Sequence, residues 1–291
     1  MNKINLYESS VGDKNEDGIS ILPWKLKNSP LIAGYFNKNN FQESLNSEAE
    51  FIIDSVWKNL EAKIINNNKL FNGDLARLTL LEISLKRDRV NLKLELTNYK
   101  QYVGSRDKLF KPFIHQVYNN APADPLGVSV VIETGDNKII IGKRKYNEAN
   151  SGLWYIPGGF INPESDVVNS TIDLNKVIIR ETFEELGQVT IDSLISLGIS
   201  YDCKMPHPEI HFFGKVKEDS HTVLKKAKRG NEFSNWFAFN SEANLVSKML
   251  FDKKGKPLSA AGRAAIILYG NYHFGKSWLK ENCNCLKGSI L

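Results

Sequence analysis

The chain has little cysteine: Cys203, Cys283 and Cys285 among 291 residues. An odd count with two nearly adjacent makes no disulfide framework, so a reducing, cytoplasmic setting is expected. No Cys-rich or His-rich cluster stands beside Cys283 and Cys285, which read as free thiols in a loose C-terminal tail. No apolar run approaches the ~20 residues of a membrane span, and Met1 to Lys14 is polar, without the apolar core of a signal peptide. A formal charge of +5 is modest for this length. It permits attraction to anionic small molecules and is no nucleic-acid signature. Neither an internal repeat nor a Gly-x-Ser-x-Gly elbow is present, which argues against a solenoid and against a serine hydrolase of the α/β type. His207 and His211 have no triad partners nearby in sequence and read as structural.

What is there supports a packed core: 42% of residues are hydrophobic and 10% aromatic. Residues 1–118 read as a smaller α+β region. Asn46 to Ile64 has helical spacing, with Ser47 and Glu50 as a capping box. Leu75 to Leu85 and Val90 to Leu96 read as a hairpin, and Ser105 to Val117 as a second helix capped by Ser105. Asn119 to Pro125 is a linker by composition. Residues 119–291 then alternate strands and helices. Strands are expected at Leu126–Ile132, Lys138–Lys145, Thr190–Ser200, Ile210–Val216 and Trp236–Phe239, and a closing helix at Ser259–Phe274.

The most informative stretch runs from Gly158 to Gly187. A Pro157-Gly158-Gly159 turn follows the apolar run Leu153 to Ile156. Arg180, Glu181, Glu184 and Glu185 follow at i, i+1, i+4 and i+5, within about 140° of arc on a helix. Ile179, Phe183 and Leu186 make the expected apolar stripe, and Gly187 suits the C-cap. Like charges at this density destabilise a bare helix. All-oxygen donors suit Mg²⁺ or Mn²⁺ better than zinc. Arg144, in the basic strand end Lys143-Arg144-Lys145, is the best candidate to grip a phosphate.

This stretch resembles the Nudix box, G-x5-E-x7-R-E-U-x-E-E-x-G-U, where U is apolar. Arg180-Glu181-Thr182-Phe183-Glu184-Glu185-Leu186-Gly187 carries its second half. Thr182 and Gln188 stand where apolar residues are usual, and the gap ahead of Arg180 is longer than the pattern. Ser165 to Asn175 reads as a loop insertion there, and Glu164 is the glutamate available for the first acidic position. Within the family, Leu96–Gly104, Ala123–Val128 and Gly262–Tyr269 are similar to the animal UDP-glucose/UDP-galactose pyrophosphatase group, which also has an N-terminal region and a long insertion in its box.

The resemblance implies a Nudix α/β/α sandwich with a mixed sheet behind the smaller α+β domain. It implies hydrolysis of a nucleoside diphosphate-linked substrate, UDP-glucose or UDP-galactose, to UMP and a sugar 1-phosphate. Glu181, Glu184, Glu185, the Gly159 carbonyl and Glu164 would hold Mg²⁺ or Mn²⁺. Arg180 would orient Glu181, Glu232 or Glu181 would serve as base, and Arg144 and Gly158 would contact substrate. The expected partner is this small molecule, not nucleic acid or membrane. An ADP-ribose or other ADP-linked pyrophosphatase and a non-catalytic nucleotide-sugar-binding module are the alternatives.

Overall fold

The computed structural model describes residues 2–4, 19–24, 30–62, 71–84, 88–110, 123–145, 151–228, 232–252 and 255–286. The first part of the chain holds β1 (Asn2–Ile4), β2 (Ile19–Pro23), β3 (Leu31–Asn40), α1 (Ser47–Glu61), β4 (Asp74–Ser84), β5 (Arg89–Asn98) and α2 (Tyr99–Ser105). The second holds β6 (Gly127–Glu133), β7 (Lys138–Arg144), β8 (Trp154–Tyr155), β9 (Gly158–Phe160), α3 (Pro163–Asp166), β10 (Val167–Val168), β11 (Thr171–Ile172) and α4 (Leu174–Leu186). It continues with β12 (Ile191–Asp202), β13 (His207–Val216), α5 (Ser220–Lys226), β14 (Phe233–Asn240), α6 (Ala243–Phe251) and α7 (Ala260–Leu286).

Two sheets result. The larger has the order β14-β7-β6-β13-β12-β2, and the smaller β1-β4-β5-β3-β11-β10. The larger is mixed: β6 and β13 run parallel, while β12/β13 and β7/β14 are antiparallel. Its strands are buried on both faces. Val128, Val130 and Ile132 pack with Val177, Ile178 and Leu186 of α4 and with Leu92 and Leu94 of β5. On the other face Val131, Ile139 and Ile141 pack with α6 and α7. The expected α/β/α sandwich is therefore the observed one.

Two segments cross the compositional divide near residue 118. β2 completes the larger sheet against β12. The hairpin β10–β11, inside the expected loop insertion, joins the smaller sheet through Thr171↔Tyr35 and Ile172↔Gly34. Main-chain bonds from Ala76 N–H to Ile161 and from Leu126 N–H to Ala76 close the seam.

Several local expectations need correction. A helix lies at Tyr99–Ser105, so Ser105 ends one helix instead of capping the one placed at Ser105–Val117. Asn98 accepts from the Gln101 amide at 2.9 Å while the Gln101 side chain accepts from the Asn98 amide at 3.2 Å, and this capping box fixes the start. Residues 111–117 lie outside the described residues. In α1 the cap is Asn46, accepting from the Ala49 amide, rather than Ser47. β13 begins at His207, so His207, Glu209 and His211 share one face at period two. Lys225 and Lys226, read as a basic loop, end the short helix α5. Ser259 does cap α7, accepting from the Gly262 amide at 3.0 Å, and Gly275 at φ 81° breaks that helix after Phe274, the expected end. The backbone then stays helical to Leu286, so Cys283 and Cys285 lie in a helix rather than a loose tail.

Candidate active site

β6 is shared between two partners. Its far end pairs with β7 at Glu133↔Ile139, while its beginning pairs with β9 through Val128↔Gly159 and Ser129↔Gly158. β7 leaves β6 to pair with β8. Gly158 and Gly159 therefore lie where the sheet splays, and the last turns of α4 pack onto them.

The buried face of α4 changes character along its length. Leu174, Val177 and Ile178 bury its first turns; Glu181, Thr182 and Leu186 follow on the same side. This corrects the expected stripe. Ile179 and Phe183 are about half exposed, and Thr182 is buried with its hydroxyl donating to the Ile178 carbonyl at 2.7 Å. Two carboxylates are thus carried inward. A Cβ on Gly159 would lie 2.6 Å from Cδ of Glu181, so the carboxylate occupies the space a side chain would take. The Gly158 amide donates to Oε2 of Glu185 at 3.1 Å.

Arg180 binds this acidic face to the insertion. Its Nη1 is 2.8 Å from Glu181 and 3.2 Å from Glu184, while Nε and Nη2 bond both oxygens of Asp166 at 3.0 and 2.7 Å. Arg144 pairs with Glu232 across the cavity, between the rings of Tyr155 and Phe233 at 5.2 and 5.0 Å. Burial pushes Glu181 up to about 7, helped by Glu184 and Glu232 and opposed by Arg180. Burial likewise holds Glu185 well above the usual carboxylate range, with Glu232 and Glu181 adding to it against Arg144. Glu184 is exposed.

The structure thus gathers Gly158, Gly159, Arg180, Glu181, Glu184 and Glu185 with Arg144 and Glu232. Glu164 stands apart: it is exposed on α3, and among the described residues its carboxylate bonds no other side chain. The acid of the insertion that does reach α4 is Asp166, two residues on, which sequence reading missed. Missed too was the cavity floor, where Tyr155 donates to Glu209 at 2.5 Å and His207 stands 3.3 Å from the same oxygen. The His207-x-Glu209-x-His211 alternation was the available signal.

Oxygen donors alone line the acidic face, which fits a hard divalent cation. Among the described residues no three His, Cys, Asp or Glu side chains already converge as a cage. Glu181 is turned to Arg180, Glu185 to the Gly158 amide and Glu232 to Arg144.

The family model described as NUDIX domain matches residues 123–258. Those residues, just under half of the chain, carry a NUDIX domain. Nudix hydrolase 9 of Arabidopsis thaliana is 28% identical over 206 residues, covering 60% of this chain and 65% of that protein. The chain thus spans just under two thirds of that relative's length. Uridine diphosphate glucose pyrophosphatase NUDT22 of Homo sapiens is 23% identical over 245 residues, covering 75% and 80%. Among solved structures, the NUDIX domain of Shewanella oneidensis NrtR complexed with ADP ribose is 16% identical with a TM-score of 0.35, covering 52% of this chain and 88% of that one. The MutT protein from Methanosarcina mazei Go1 is 18% identical with a TM-score of 0.35, covering 52% and 95%. No helix among the described residues is long and apolar enough to cross a membrane.

Proposed function

We propose that the protein hydrolyses the diphosphate linkage of a nucleoside diphosphate joined to a second moiety, with UDP-glucose or UDP-galactose as substrate and UMP and a sugar 1-phosphate as products. One observation carries the reading: the buried Glu181 and the half-buried Glu185 of α4 sit directly on the Gly158-Gly159 backbone, which shares a cavity with Arg144. The human relative's name, that of a UDP-glucose pyrophosphatase, supports the substrate.

Each residue has a role. Glu181, Glu184, Glu185 and the Gly159 carbonyl would hold Mg²⁺ or Mn²⁺, with Glu164 as an outer ligand. When bound, the ion neutralises the diphosphate and lowers the pKa of attacking water. Arg180 orients Glu181. Arg144 grips the diphosphate bidentately, steered by the flanking rings. Gly158 leaves the backbone open to substrate. Glu232, or Glu181, takes the proton from the attacking water. A cytoplasmic setting suits Cys203, a free cysteine.

Replacing Glu184 or Glu185 by Gln tests this. With Mg²⁺ present, release of UMP from UDP-glucose should fall by about 10²–10⁴-fold in each variant, with the fold retained. Unchanged turnover in both would sink the mechanism. A panel of UDP-sugars, ADP-ribose, dinucleotides and NTPs decides the substrate. Tight binding without turnover across that panel would favour a nucleotide-sugar-binding module instead.

A further inference from the structure

The cavity that holds Arg144, Glu232, Gly158 and Gly159 does not stop at the carboxylates. It runs on between Tyr99 and Tyr102 of α2, Phe160 of β9, and Glu209 with His207 of β13. The hydrolytic residues make no use of this half.

Three features mark it as built to hold something. First, Glu209 is 2% exposed yet lines the cavity. Its Oε2 accepts from Tyr155, faces His207 and lies on the side of Gly127, whereas Oε1 is turned inward toward Ser129 and His211. His211 Nδ1 stands 3.7 Å from Oε1, and the Ser129 hydroxyl beside it is bonded at 2.8 Å to that same nitrogen. His207 and His211 hold the Glu209 carboxylate at about 2, below the usual range, against its burial. The carboxylate is thus held ionised in the cavity wall, an acceptor for a donor carried by a ligand. Second, the walls are aromatic. Tyr102 and Phe160 meet at 5.4 Å, and Phe160 and His207 at 5.6 Å, both edge to face. Third, the residue opposite Glu209 is Gly127, where a Cβ would lie 3.2 Å from Glu209 Cγ. A side chain there would narrow the pocket.

We propose that this half of the cavity recognises a polar ring attached to the diphosphate, the Glu209 carboxylate accepting a hydrogen bond from a hydroxyl or imide N–H of that ring while Phe160 and Tyr102 pack against it. The inference rests on reading the adjoining site as one that takes a diphosphate. It gives the N-terminal region a part in specificity, since Tyr99 and Tyr102 come from α2. The donor has two sources, a sugar hydroxyl or the N–H of a pyrimidine such as uracil. A ring ending in a carboxylate or a further phosphate is repelled by Glu209.

The test is isothermal titration of the full chain with Mg²⁺, using UDP and a non-hydrolysable methylene-diphosphonate analogue of UDP-glucose. Glu209→Gln should weaken the analogue by about tenfold or more, the loss of one charge-assisted hydrogen bond. Gly127→Ala, which narrows the pocket beside Glu209 without adding or removing a charge, should weaken it too. Equal loss for UDP assigns the base to the pocket; loss for the analogue alone assigns the sugar. If both variants bind both probes as the wild type does, or if the wild type binds neither, the proposal is overturned. Turnover is measured separately. Binding that depends on Glu209 without any hydrolysis refutes the hydrolase reading and leaves the pocket standing.

Discussion

Asp166 grips Arg180 with both carboxylate oxygens, at 3.0 Å from Nε and 2.7 Å from Nη2. Asp166 ends α3, and the next residues form the β10–β11 hairpin that pairs with β3 of the smaller sheet. The insertion is therefore a strut. It ties the N-terminal sheet to the arginine that holds Glu181 and Glu184.

Asp166→Asn keeps the shape and removes the charge. Arg180 then loses its bidentate partner and is free to turn toward Glu184. Turnover should fall by about 10–100-fold, the usual cost of losing an outer partner of a metal-site ligand. The comparison is kcat and Mg²⁺ dependence beside a thermal melt. Wild-type Mg²⁺ dependence with an equal kcat would show that the strut is structural only.

The two glycines of the turn should fail differently. A Cβ on Gly158 would press on the Val128 carbonyl and lie 2.7 Å from Cα of Ser129, so strand backbone must move. Gly158→Ala should cost about 1–3 kcal/mol of stability, as overpacking does. At Gly159 the obstacle is the end of a flexible side chain, the Glu181 carboxylate. Gly159→Ala should leave the melting temperature nearly unchanged and lower turnover by at least an order of magnitude. Denaturant unfolding beside activity separates them; the reverse pattern would refute the placement of Glu181.

Arg144→Lys should not be conservative. The guanidinium lies between Tyr155 and Phe233 while it pairs with Glu232. A lysine offers a point charge where a planar fork is stacked. KM for the diphosphate substrate should rise about tenfold or more, with a smaller change in kcat. A KM equal to wild type would remove Arg144 from the substrate's path.

Much of this was legible because periodicity survives wherever one neighbour decides a residue's fate. Val90, Leu92 and Leu94 alternate along β5 and are all buried. Arg180 to Gly187 announced its helix and its carboxylates. The failures share a cause: a partner distant in sequence. Phe183 looks like core and is half exposed, because α4 turns its Glu185 side toward Gly158. β3 was not foreseen, since its mixed residues gain strand form by pairing with β5 and β11. Glu164 fits the spacing of the motif, yet the insertion folds so that Asp166 reaches the arginine. Spacing along a chain cannot register a hairpin captured by another sheet.

His211 gives a pH test that lies away from the carboxylates of α4. It is fully buried, with the Ser129 hydroxyl 2.8 Å from Nδ1 and the Ser200 hydroxyl 2.7 Å from Nε2. Burial depresses it to about 4, despite Glu209, with His207 acting in the same direction as burial. Between about 4 and the ordinary value of 6.5 the unfolded chain takes up a proton that the folded chain refuses. This residue therefore removes stability as pH falls through that window. Its neighbours act elsewhere or in the opposite sense. Glu209, at about 2, loses its contribution below the ordinary carboxylate value of 4.5. His207, raised by Glu209, contributes below 6.5 and is lost as pH rises through its folded value. Asp124, raised by burial to about 7, holds its proton in the folded state, so its contribution falls as pH rises from 3.8 to 7. The wild-type curve sums opposing slopes, and only a difference isolates His211. His211→Gln can bond both serines and does not titrate. Its deficit in melting temperature should be largest near pH 7 and should shrink steadily toward pH 4.5. Parallel curves for the two proteins would show that His211 is not held neutral by its burial.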